Sequence, residues 1–129
     1  MTERIHQGVE FVKLSDSDLR LKDPEQDVRG LDVYERGGDQ KIGSVEDLYV
    51  DEQERKVRLL EVGAGGILGM GEKHFLIPAE AVVSVGEDGV TIDHSREKVA
   101  GFPPYDPDVV PESNYQRSLY DYYGYPFPY

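Results

Sequence analysis

The chain has no cysteine among its 129 residues, which removes disulfides, thiolate metal sites and cysteine nucleophiles at once. It also has no apolar run near the ~20 residues that a membrane-spanning helix needs. The opening stretch Met1-Thr-Glu-Arg-Ile-His-Gln7 lacks the apolar core of a signal peptide. Positive charge is scarce, with 14 Lys and Arg against 26 Asp and Glu, for a net charge of −12. Such a surface repels phosphate backbones and anionic headgroups, which disfavours nucleic-acid binding and membrane attachment. The charge either keeps the chain soluble or steers a basic partner protein toward it. These absences together predict a soluble cytoplasmic protein of one domain with extensions.

What is present is a succession of short β segments and turns. Phe11-Val-Lys-Leu14 reads as a strand and Ser15-Asp-Ser-Asp18 as a turn or helix cap, with Pro24 closing the first region. From Val28 onward, Leu31–Tyr34 leads into the paired glycines Gly37-Gly38, which supply the positive φ of a tight hairpin. Val45, Leu48 and Val50 break strict alternation, which predicts a bulge near Gly43. Asp51–Lys56 reads as a polar turn, its acids most simply solvated. The strand Val57-Arg-Leu-Leu-Glu-Val62 follows, with Val57 and Leu59 on one face and Leu60 and Val62 on the other. A strand apolar on both faces is covered twice or meets another subunit. Val82–Val85 and Val90–Ile92 form a second hairpin across Gly86–Gly89, and Ser95 caps a short helix Arg96–Ala100 ended by Gly101. Five or six short strands without a long helix predict a small closed sheet.

The last segment differs in kind. Between Phe102 and Tyr129 lie six of the eight prolines and seven of the nine tyrosines. The prolines predict an extended or disordered tail. The tyrosines offer large contact area at low entropy cost. Three arrangements are open: the tail wraps its own barrel, docks on a second subunit or other protein, or stays disordered. The expected partner contacts are Tyr115, Tyr120, Tyr122, Tyr123, Tyr125 and Phe127.

No constellation for catalysis emerges. Gly63-x-Gly65-x-x-x-Gly69 approaches a dinucleotide loop, but the strand-like Glu72–Pro78 stands where a helix must present its N-terminus. Gly66 and Gly71 have P-loop spacing, yet Glu72 replaces the phosphate-binding lysine. His6, His74 and His94 form no two-histidine motif, and His74 reads as an ordinary polar strand position. Asp16-x-Asp18 begins like a calcium loop, but Arg20 and Leu21 occupy a ligand position and the obligatory glycine. No catalytic, metal-binding or cofactor-binding residue is assigned, and no enzyme is expected. A small-molecule carrier is disfavoured because a barrel of so few strands is filled by its own side chains.

The run Gly30 and Val33 before a glycine hairpin, Ile42-Gly43, Val45, Asp47-Leu48, Val57–Val62, Gly65-Gly66 and Leu76-Ile77-Pro78 resembles the PRC-barrel family from Asp27 to about Tyr105. That family includes the photosynthetic reaction-centre H subunit and the ribosome-maturation protein RimM. The resemblance implies a mainly β, PRC-type barrel (27–102) with an N-terminal extension (1–26), one short helix and an extended Tyr/Pro-rich tail (103–129). It further implies a non-catalytic adaptor for protein–protein contact, expected to be a homo-oligomer, close to the stand-alone H-subunit-like proteins of photosynthetic electron-transfer complexes. A RimM-like ribosome-maturation or RNA-associated accessory is the alternative.

Overall fold

A computed structural model describes residues 11–37, 40–64, 73–105 and 113–127. His6, Gly38, the glycine-rich crossing from Gly65 through Gly71, Glu72 and Tyr129 lie outside the described residues. Seven strands form one sheet: β1 (Phe11–Lys13), β2 (Asp32–Glu35), β3 (Lys41–Asp51), β4 (Val57–Gly63), β5 (His74–Pro78), β6 (Val82–Gly86) and β7 (Gly89–Ile92). Their order is β5-β4-β3-β2-β7-β6, with β1 on β3 beyond the end of β2. All pairings are antiparallel except β2 with β7. Two helices follow, α1 (Arg96–Ala100) and α2 (Ser113–Tyr123). The Ser95 side chain accepts from Lys98 N at the start of α1, as the capping pattern predicts.

Irregularities in β3 and β4 decide which side chains meet. Val33 pairs with Gly43 and Tyr34 with Lys41, so Ile42 is an extra residue beside Gly43, where the broken alternation predicts a bulge. A second extra residue is Glu46, because Val45 pairs with Val62 and Asp47 with Glu61. The third is Arg58, between the pairs Tyr49–Leu59 and Val50–Val57. That shift separates Val57 from Leu59. Val57 packs with Leu60 and Val62 in the inner cluster, whereas Leu59 belongs to the outer one. The strand is thus covered twice, inside by the curled sheet and outside by residues of the tail.

Three further expectations change. The sheet curls but does not close, since no ladder joins β5 to β6 among the described residues. Pro78 offers no N–H, and the 3₁₀ turn Ala79–Ala81 redirects the chain between them. The tail is not extended throughout, because Ser113–Tyr123 is helical. No proline lies between Pro111 and Pro126, a window long enough for three turns. Gly124 at φ +86° ends the helix: its N–H reaches Asp121 O (3.2 Å) and Tyr125 N–H reaches Tyr120 O (3.0 Å), the reciprocal pattern of a Schellman cap. Asp51, expected in a solvated turn, is buried. Its carboxylate accepts from Gln53 N (2.8 Å) and faces Arg58 (3.5 Å), which fixes the β3–β4 turn.

Candidate functional site

Three regions of the molecule bear on function: the tail face, a slot beside β6, and a polar cluster on β3, β4 and β5. On the tail face, Gln116, Leu119, Tyr120 and Tyr123 are buried, the 3-1-3 spacing of one helical stripe. They cover Phe11, Tyr49, Leu59, Leu76 and Tyr105. Of the expected partner contacts, Tyr120 and Tyr123 are therefore spent within the chain, and Tyr115, Tyr122, Tyr125 and Phe127 are partly buried against the same cluster. Their hydroxyls are anchored too. Tyr120 donates to Arg58 O (3.2 Å), Tyr122 to Lys98 O (2.6 Å) and Tyr115 to Pro103 O (2.8 Å). Burial pushes the Tyr115 hydroxyl up to about 12.

His94 joins this face, with its Nε2 2.8 Å from the Tyr125 hydroxyl and its ring edge-on to Tyr123 at 4.9 Å. Burial lowers its pKa; Asp93 opposes the change and Lys98 adds to it. Because the folded value lies below the unfolded one, stability is full above about pH 6.5 and falls as acid carries the pH down toward the folded value. Thermal melts between pH 7.5 and pH 5.5 should lose stability more steeply in the wild type than in His94→Gln. Equal slopes would show that His94 carries no linkage.

The slot lies among the 23–28 segment, β4, the 3₁₀ turn at Ala79 and β6. It holds ≈ 420 Å³ and is lined by Val28, Val57, Leu60, Ala79, Val82 and Val85, with Asp23, Glu25 and Gln26 at its rim. Beside it runs β6, whose ladder joins β7 alone among the described residues. Val83 (46% exposed) and Val85 (51% exposed) on β6 are the exposed large hydrophobics among the described residues. Glu80, Glu87 and Asp88 flank this strand and are exposed.

The polar cluster centres on Glu61, whose side chain is 5% exposed. Its Oε1 accepts from the Tyr105 hydroxyl (2.9 Å) and lies 3.6 Å from Lys13 Nζ. The Tyr105 hydroxyl also hydrogen-bonds the Tyr49 hydroxyl at 3.1 Å. Burial, then the Tyr49 contact, pushes Tyr105 far above the ordinary phenol value and keeps it protonated. Burial alone lowers the Lys13 ammonium, but Glu61, with help from Tyr49 and Asp47, outweighs it and leaves the pKa raised. Glu61 Oε2 faces His74 Nδ1 at 3.3 Å, and Glu46 Oε1 lies 3.3 Å from the same nitrogen. The bulge makes this possible, since Glu46 is the extra residue opposite Glu61. Nothing in the alternation of the sequence marks that residue, so His74 reads there as an isolated polar position. Asp47 turns instead toward Ser15, accepting from its backbone N–H (3.3 Å) and its hydroxyl, and ties the β1 end to β3.

Among the described residues no helix is long and apolar enough to cross a membrane. No curated protein matches the chain. The family model for the PRC-barrel domain matches residues 25–99, which spans β2 through β7 and most of α1. The strand order, the bulge beside Gly43 and the curled sheet thus belong with a match over more than half of the sequence, and the chain is a member of the PRC-barrel family.

Proposed function

We propose that this protein is a non-catalytic assembly module whose docking element is the β6 edge with its adjoining slot. The observation that carries this is the pair Val83 and Val85, left exposed on a strand that, among the described residues, pairs with β7 alone. An unpaired edge offers backbone donors and acceptors in a row, and a partner strand laid along it gains hydrogen bonds while its side chains enter neighbouring pockets. The acidic rim, Asp23, Glu25, Glu80, Glu87 and Asp88, selects a partner segment that is apolar with flanking Lys or Arg. The same carboxylates repel RNA phosphates, which weighs against a nucleic-acid accessory role. They also work against a second copy of this chain, which carries the same net charge of −12.

Val85→Lys keeps the fold, because an exposed substitution shifts stability by no more than about 0.5 kcal/mol, and a lysine on an edge strand blocks added pairing. Lysate capture with the wild type and with Val85→Lys should yield a basic protein held by the wild type alone, and released as salt is raised. A partner retained equally by the variant would rule out the edge as the docking element. A dimer that dissociates in Val85→Lys would assign the edge to a second copy.

A further inference from the structure

We infer that Glu46, Glu61 and His74 form a binding site for a divalent transition-metal ion of the zinc class, independent of the docking edge. The nitrogen and the two carboxylates offer three ligand atoms within 4.8 Å of one another. His74 Nδ1 is shielded from water and makes no hydrogen bond, although two carboxylate oxygens stand 3.3 Å away. That separation is long for a hydrogen bond, whose N···O distance centres on about 2.9–3.0 Å. It does match the edge of a tetrahedron: ligand bonds of about 2.0–2.1 Å place neighbouring donor atoms roughly 3.3–3.4 Å apart.

The surroundings of Glu61 fit the same purpose. Its side chain is buried, and Tyr105 and Lys13 hold Oε1 while Oε2 turns toward His74. A ligating carboxylate fixed by hydrogen bonds on its other oxygen is the usual support of a metal site. The ligands also sit on rigid elements, since each comes from a different one of three adjacent strands, and the bulge in β3 delivers the third. Two carboxylates neutralise the charge of a divalent ion, and an imidazole suits zinc better than calcium or magnesium. Glu46 is 37% exposed, so the ion has a route in and a solvent-facing fourth position.

The competing arrangement is a protonated His74 bridging the two carboxylates without metal, and one titration separates the two. The full chain, treated with chelator and exchanged into metal-free buffer, is titrated with Zn²⁺ by calorimetry, and its thermal midpoint is read with and without Zn²⁺. The expected result is one equivalent bound with a raised midpoint. Glu46→Gln and His74→Gln should each weaken binding on the order of tenfold or more, while His94→Gln leaves it unchanged. Glu46→Gln is isosteric at a partly exposed position, so its fold is retained. Absence of Zn²⁺ binding by the wild type, or binding that survives both Glu46→Gln and His74→Gln, overturns the site.

Discussion

Replacing Tyr120 with alanine should destabilise the protein by about 3–5 kcal/mol, the cost of truncating a buried aromatic. The Tyr120 ring is fully buried, packs edge-on with Phe127 at 5.3 Å, and sends its hydroxyl to Arg58 O on β4. Removing it opens a void between α2 and the outer face of β3, β4 and β5 that rigid strands cannot fill. Against the 5–15 kcal/mol typical of a whole domain, that loss should lower the melting temperature by on the order of 10 °C or more. Tyr120→Phe keeps the packing and gives up one hydrogen bond, about 1 kcal/mol. A melting temperature unmoved by Tyr120→Ala would mean that α2 is not part of the folded core.

The second large effect is expected at Gly43. A Cβ placed there would stand 2.3 Å from Gly63 O and 2.9 Å from Val62 Cγ1, on the strand hydrogen-bonded beside it. The obstructing atom is backbone in a β3–β4 ladder, so relief requires the two central strands to part. Gly43→Ala should therefore cost about 3 kcal/mol, the upper range for overpacking a core. Urea unfolding reads this as a lower midpoint at unchanged slope. Gly86→Ala is the control, since an added Cβ there meets nothing within 4 Å and its midpoint should hardly move. Equal shifts at the two positions would show that the close approach at Gly43 carries no energetic weight.

Much of the sheet was legible because the signals were local. Gly37 at φ +100°, the Gly86–Gly89 turn and the Ser95 cap each act within a few residues, and the strands and the helix they bound are present. The helix in the tail is less legible, for a reason equally physical. Six prolines crowd the segment from Phe102 to Tyr129, whereas a helix needs freedom from proline only along its own length, and residues 112–125 provide it. The stripe Gln116, Leu119, Tyr120, Tyr123 was readable as helical periodicity, but its partners on β3, β4 and β5 are distant in sequence. The His74 cluster was the least legible. It depends on a bulge that adds Glu46 to the face carrying Glu61, and bulges follow from pairing register, which no single strand encodes.

The exposed pair on β6 shows the same limit from the other side. Val83 and Val85 have the composition of a core strand, but Val83 is the extra residue of a bulge in β6 and, among the described residues, no strand lies beyond β6 to cover the pair. The six tail aromatics look like binding residues by type, yet they pack on the outer face of the sheet. The docking proposed at β6 thus exchanges the expected roles: the tail packs against the core, and the β6 edge is offered to a partner.

Hydrogen–deuterium exchange on the full chain, resolved to peptides, tests that exchange of roles most directly. With the tail as part of the core and β6 as the free edge, amides of Leu119–Tyr123 should be protected to the level of β3 and β4. Those of Val83–Gly86 should be the fastest among the strands of the sheet. Rapid exchange across α2, together with β6 protected like the central strands, would contradict it.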